Sequence, residues 1–296
     1  MTIGVLLMTY GAPRDESELP AYLARVRGGR EPTAELVAEM ARRYRAIGGS
    51  PLVRITEAQA AALERELGAG FRVRAAMRFS APSIERVALE LVGQVDELVG
   101  IVLSPQWSDV LMSGYERALG DAASVRGLRW RMIRGWHLEP AFLELVAALL
   151  RAKLEGLNRP AILLTAHSVP RRVYDAEPEY IEQLRTTAEA IARAAGLRPE
   201  DWRFAYQSAG HTREEWLRPD LVELFPEIAA SGATSVLVVP VQFLADHLEV
   251  LHDLDIAARA QAEAARLEYH RIPMPNDRPE LARALAGVVR GAAVPG

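Results

Sequence analysis

The chain has 296 residues, half of them apolar and a quarter charged, a balance that folds around a core rather than staying disordered. At roughly 150 residues per domain, that length suggests two domains. There is no cysteine, which excludes disulfides, a thiolate nucleophile, Cys-type zinc sites and an iron–sulfur cluster, and the net charge of −4 argues against neutralising nucleic-acid phosphates.

In chain order, apolar, β-branched runs fall at Ile3–Thr9, Phe71–Met77, Leu98–Leu103 and Arg129–Ile133. They recur at Ala161–Thr165, Trp202–Gln207, Ser235–Val241 and Arg266–Arg271. Apolar residues at three- and four-residue spacing predict helices over Thr33–Ile47, Glu57–Leu67, Ile84–Gly93, Pro140–Gly156, Glu179–Ala195 and Arg278–Val289. Continuous apolar strands alternating with helices predict parallel sheets covered on both faces. The longest apolar stretch, Thr234 to Ala245, is broken by Pro240 and Gln242 and is too short for a membrane span of about 20 residues. The N-terminus carries no signal-peptide pattern, so a soluble cytoplasmic protein without membrane insertion is expected.

An internal echo organises these runs. Gly4-Val5-Leu6-Leu7-Met8-Thr9-Tyr10-Gly11-Ala12-Pro13 is matched by Ala161-Ile162-Leu163-Leu164-Thr165-Ala166-His167-Ser168-Val169-Pro170. Ile101-Val102-Leu103-Ser104-Pro105-Gln106-Trp107 is matched by Leu237-Val238-Val239-Pro240-Val241-Gln242-Phe243. The expected fold is therefore α/β: two similar Rossmann-like doubly wound domains, each with a four-stranded parallel sheet and a cleft between them. The halves are expected at 1–137 and 138–296, with the last helix packing back on the first half. Ligands of such sheets sit beyond the carboxyl ends of the strands. Tyr10, Arg78 and Gln106 reach that place from one half, and His167, Gln207 and Asp246-His247-Leu248-Glu249 from the other.

Three groups of residues could carry chemistry there. His167 follows directly after a buried strand, as a structural imidazole or as a proton acceptor and transition-metal ligand near neutral pH. Ser168 beside it lacks a nucleophile elbow, which weakens a hydrolase reading. The run from Asp246 to Asp255 holds four acids and two imidazoles among Leu and Val, the pattern of a helix with one apolar and one ligand-rich face. Glu249 and Asp253, four apart, stack along one side and repel, which favours a cation or a raised pKa. Arg25, Arg27, Arg30, Arg42, Arg43 and Arg45 gather near Tyr44, suited to a substrate with several carboxylates. No glycine-rich nucleotide-binding pattern accompanies them.

Together these runs resemble ferrochelatases, the enzymes that insert ferrous iron into porphyrins. The resemblance rests on Tyr44-Arg45-Ala46-Ile47-Gly48-Gly49-Ser50-Pro51-Leu52, Leu103-Ser104-Pro105-Gln106-Trp107-Ser108, Ala166-His167-Ser168-Val169-Pro170, Tyr206-Gln207-Ser208 and Phe243 to Leu251, besides the first strand. It implies that His167 and Glu249 are the catalytic, metal-binding pair and that Tyr10 meets the metal from the opposite face of the macrocycle. Tyr10 in Thr9-Tyr10-Gly11 points to the soluble, coproporphyrin III-using branch. There Arg27, Arg43, Tyr44, Ser50 and Tyr115 would bind the substrate and its propionates, and Asp253 would relay protons or metal behind Glu249. Two departures stand out: Ala257 where the acidic row often continues, and one residue fewer between Gly49 and Ser50.

The implied activity is that of a lyase, a metal chelatase of haem biosynthesis, that converts coproporphyrin III and Fe²⁺ into Fe-coproporphyrin with release of two protons. Alternatives are a protoporphyrin IX ferrochelatase, another tetrapyrrole chelatase, or a non-enzymatic haem or porphyrin carrier. Iron is then a substrate and no cofactor is retained. The expected partners are coproporphyrin III, Fe²⁺ and a haem-pathway enzyme or iron donor, with no nucleic acid, and the chain is expected to be a monomer.

Overall fold

The computed structural model describes residues 1–210 and 214–293. Its strands are β1 (Ile3–Thr9), β2 (Phe71–Met77), β3 (Glu97–Val102), β4 (Arg129–Ile133), β5 (Ala161–His167), β6 (Trp202–Gln207), β7 (Ser235–Pro240) and β8 (Glu268–Arg271). The α-helices are α1 (Leu19–Val26), α2 (Ala34–Ala46), α3 (Leu52–Leu67), α4 (Ile84–Leu91), α5 (Asp109–Ser124), α6 (Pro140–Leu154), α7 (Arg171–Ala176), α8 (Pro178–Ala194), α9 (Leu221–Ala230), α10 (Arg259–Ala264) and α11 (Pro279–Ala293). A π-helix spans Glu249–Ala258. Among the described residues, no helix is long and apolar enough to cross a membrane.

The strands form two four-stranded sheets of the same order, β2-β1-β3-β4 and β6-β5-β7-β8, with every pairing parallel. All seven residues of β1 are buried, as a central parallel strand with helices on both faces requires. The strand limits follow the sequence closely. The main shift is that β5 runs on to His167, which pairs with Gln207 as its last residue instead of following the strand. Helix α5 escaped the periodicity because Gly114 and Gly120 interrupt its apolar pattern. Both glycines are demanded by packing: a Cβ at Gly120 would lie 2.7 Å from the Trp130 ring.

One core joins the two sheets. Val5 and Leu7 of β1, Leu164 of β5 and Leu237 of β7 belong to a single buried cluster with Phe142 and Leu150 of α6. Leu281 and Leu285 of α11 join that cluster, and α11 packs on both α3 and α6. Polar clamps reinforce the junction. Gln106 donates to the Thr187 hydroxyl at 3.0 Å, and Gln183 bonds the Trp107 backbone in both directions at 2.9 and 3.0 Å. The Glu177 carboxylate, at the start of α8, accepts the first N–H of α5 at 2.7 Å, a favourable charge at a helix N-terminus. The cleft between the strand ends is thereby held on a rigid frame.

Candidate functional site

At the carboxyl end of β5 the His167 backbone N–H donates to Gln242 Oε1 at 3.1 Å, and Gln242 Nε2 donates to the Tyr180 hydroxyl at 2.7 Å. The His167 ring contacts the Ser168 carbonyl through Nδ1. A carbonyl only accepts, so Nδ1 carries the hydrogen and the Nε2 lone pair is left for the cleft. Nε2 lies 3.4 Å from Glu249 Oε2. A lone pair and a carboxylate at that distance repel unless a proton or metal cation lies between them.

Glu249 opens the π-helix. Such widened helices are rare and concentrate at functional sites; here the ionisable residues of one stretch are split between two sides. His252 Nδ1 donates to Asp253 Oδ1 at 3.1 Å, and Asp253 lies 3.6 Å from Arg43 Nη1. Asp255 instead faces β8, where Arg271 holds it at 2.7 Å through both Nε and Nη2. Asp246 accepts from Asn276 at 2.8 Å. The expected single ligand-rich face is corrected accordingly: Asp246 and Asp255 anchor the π-helix, and Glu249, His252 and Asp253 remain toward the cleft. His247, within this stretch, donates from Nδ1 to the Ala245 carbonyl at 3.0 Å, and burial lowers its pKa, keeping it neutral.

The first half supplies the opposing wall. Tyr10 follows β1, with its ring edge-on to Phe79 at 4.6 Å. Gly11 permits this turn: its φ is +86°, and a Cβ there would strike the Ser80 hydroxyl. Burial, and then the Glu249 carboxylate, push the Tyr10 hydroxyl up to about 12. Tyr44 is likewise raised to about 12, first by burial. Arg78 follows β2 and packs its guanidinium 5.0 Å from the centres of both the Phe79 and Tyr115 rings. Its Nη1 is buried and has no hydrogen-bond partner among the described residues. Gly114 makes room for it, since any Cβ there would overlap the guanidinium.

Two cavities meet between these walls. One, of about 790 Å³, is lined by His167, Gln207, His252, Asp253 and Arg43. The other, of about 670 Å³, is lined by Tyr10, Tyr44, Ser50, Arg78 and Tyr115. Met40, Leu248 and Glu249 line both, so Glu249 stands on the seam. Of the residues singled out in the sequence, His167, Glu249, Tyr10, Arg43, Tyr44, Ser50, Tyr115 and Asp253 thus come together.

Others do not. Arg27 ends α1 on the exposed surface and lines neither cavity. Arg25 donates to the Phe79 carbonyl at 2.7 Å and Arg45 pairs with Glu16 at 2.8 Å, so the arginine-rich stretch disperses and Arg43 alone of it reaches a cavity wall. Gln106, expected at the cleft, is fully buried in the joint between the halves. Arg78, expected at the cleft, does reach it, because Thr9 pairs with Met77 and so carries Arg78 alongside Tyr10, whereas the Gln242–Tyr180 support of His167 has no counterpart in the sequence reading.

Comparison with known proteins follows the same lines. The ferrochelatase family model matches residues 2–293. A coproporphyrin III ferrochelatase of Halalkalibacterium halodurans is 35% identical, covering 97% of this chain and 96% of its own length. A ferrochelatase of Herpetosiphon aurantiacus is 36% identical over 97% of this chain and 98% of its own. Among solved structures, CbiX, described as the terminal enzyme of sirohaem biosynthesis in denitrifying bacteria, superposes with a TM-score of 0.60. It covers 100% of both chains at 16% identity, a likeness of fold alone.

Proposed function

The chain belongs to the ferrochelatase family, metal-inserting lyases of haem biosynthesis, and from that premise we propose that its reaction is insertion of Fe²⁺ into coproporphyrin III. The observation that carries the reading is the His167–Glu249 pair, 3.4 Å apart where the two cavities meet. The macrocycle lies across that seam, with His167 and Glu249 on one face and Tyr10 on the other.

Insertion exchanges two pyrrole protons for one Fe²⁺. His167 accepts one proton at Nε2, the nitrogen left bare by the bond of Nδ1 to the Ser168 carbonyl. Glu249 accepts the other; before those protons arrive, the same Nε2 lone pair and carboxylate oxygen are the nitrogen and oxygen donors suited to Fe²⁺, so the two roles alternate. Two protein donors leave the remaining iron positions to the ring nitrogens, so the metal can pass on. Asp253 and His252, one turn further along the π-helix, take the protons toward solvent. On the far face Tyr10 stays a neutral phenol at physiological pH, a hydrogen-bonding or ligating group that does not compete for protons.

The choice of coproporphyrin III is supported by Tyr10, by cations at the walls (Arg43 and Arg78), and by relatives such as the Halalkalibacterium halodurans enzyme. The test is to mix the protein anaerobically with Fe²⁺ and either coproporphyrin III or protoporphyrin IX and follow the Soret band. Turnover with coproporphyrin III is expected. Turnover with protoporphyrin IX alone would overturn the choice of substrate, and binding without turnover would overturn catalysis.

A further inference from the structure

Arg43 carries two demands in one place. On its own helix Glu39 holds its Nε at 2.8 Å, an i,i+4 pair at the exposed end. Its Nη1 reaches across the cleft to Asp253 Oδ1 at 3.6 Å. Asp253 in turn accepts from His252 Nδ1 at 3.1 Å. Both Arg43 and Asp253 are about four-fifths buried, with side-chain exposures of 22% and 21%, and both line the cavity that His167 and Glu249 line. A guanidinium arm anchored by one carboxylate and offered to another is the arrangement a substrate carboxylate would need.

We propose that Asp253 is an internal stand-in for a substrate carboxylate: a propionate of the tetrapyrrole displaces it from Arg43 and so frees it for the metal and proton path behind Glu249. This rests on the functional reading above and gives that site an order of events. Without porphyrin, the Arg43 cation masks the Asp253 charge, and metal gains little from the row behind Glu249. With a carboxylated porphyrin bound, Glu39 keeps Arg43 in position while Nη1 changes partner. Asp253 is left with the His252 N–H as a net anion one turn from Glu249. Ala257, at the next place on the π-helix, brings no carboxylate to compete, so the exchange concerns Asp253 alone in this row. The device selects tetrapyrroles with a carboxylate on that edge and makes porphyrin binding precede metal entry.

The exchange is tested by iron-free titration of porphyrin fluorescence against wild type, Arg43→Gln, Asp253→Asn and the double variant. The ligands are coproporphyrin III and its uncharged tetramethyl ester in the same detergent. Removing the competitor should tighten coproporphyrin III binding about threefold in Asp253→Asn, the scale of a partly exposed ion pair. The ester should bind all four proteins alike, and the double variant should match Arg43→Gln. Asp253→Ala repeats the removal with a second side chain. Coproporphyrin III binding no tighter in either Asp253 variant than in wild type would overturn the exchange. So would tightening that persists beside Arg43→Gln, which is long-range charge. Iron insertion is not read in this titration. Wild-type protein that shows the binding pattern yet fails to metallate coproporphyrin III would overturn the functional reading while still supporting the exchange.

Discussion

The two halves place different chemistry on the same scaffold. Tyr10 in the first echo run occupies the position of His167 in the second, each beyond or at the end of the central strand of its sheet. Likewise Gln106 stands where Gln242 does, yet Gln106 ties the halves together while Gln242 holds the His167 backbone. In the first half the cleft end is aromatic and cationic: Tyr10 and Tyr44 are phenols raised to about 12, and Arg78 packs against two rings. In the second it is made of imidazoles and carboxylates, with His167 and His252 each tied through Nδ1 and Glu249 standing 3.4 Å from His167 Nε2. The first half is suited to holding a flat, acidic ligand, and the second to taking protons and metal.

This division predicts where kinetic losses fall. His167→Ala should lower the rate of iron insertion by about 10³-fold, within the range for losing a general base, with porphyrin affinity changed little. Near-normal turnover in that variant would end the assignment. Glu249→Gln should cost about 10²-fold in kcat by the same measurement, since amide oxygen still ligates but no longer takes a proton. In the other half, Arg78→Gln should raise KM for coproporphyrin III about tenfold, the scale of one charge-assisted hydrogen bond, and leave kcat within a few-fold. Steady-state kinetics showing a kcat loss instead would break the comparison.

Smaller effects sharpen it. Tyr10→Phe should slow insertion only a few-fold if the tyrosine orients the ring and takes no proton. The Tyr10 hydroxyl is raised from 10 to about 12, so folding favours its neutral form. That contribution is whole below pH 10 and fades as pH climbs toward 12, so Tyr10→Phe should soften part of the alkaline loss of stability seen in melts across that window. Glu177→Gln, which weakens the cap joining the halves, should lower Tm by a few degrees, about 1–2 kcal/mol, with kcat unchanged at saturating substrate. A kcat that fell with Tm would mean that the halves must be held together for the chemistry itself.

Much of this was legible along the chain. The parallel sheets, their repeated order and the seating of His167, Tyr10 and Glu249 followed from apolar runs and from what stands at their ends, because buried parallel strands leave an unbroken apolar signature. Helix α5 was missed, as its glycines answer to Trp130 and Arg78, neighbours from other elements. The π-helix was read as an ordinary helix, since residues four apart share a side in both. The arginine-rich stretch would suit several carboxylates only if grouped at a cleft, and Arg25 and Arg45 are instead spent on a carbonyl and on Glu16.

The sequence by itself therefore determined the scaffold and set His167, Tyr10 and Glu249 beyond the ends of apolar runs, through local periodicity, while their reacting roles came only from the resemblance to ferrochelatases. Only the tertiary structure decided which of them share a cavity. It set Glu249 on the seam between two cavities, turned Asp255 away to Arg271, and brought Arg43 to Asp253 across the cleft. Those pairings join residues far apart along the chain. A charge's partner depends on how whole elements pack, which nearest-neighbour spacing does not encode.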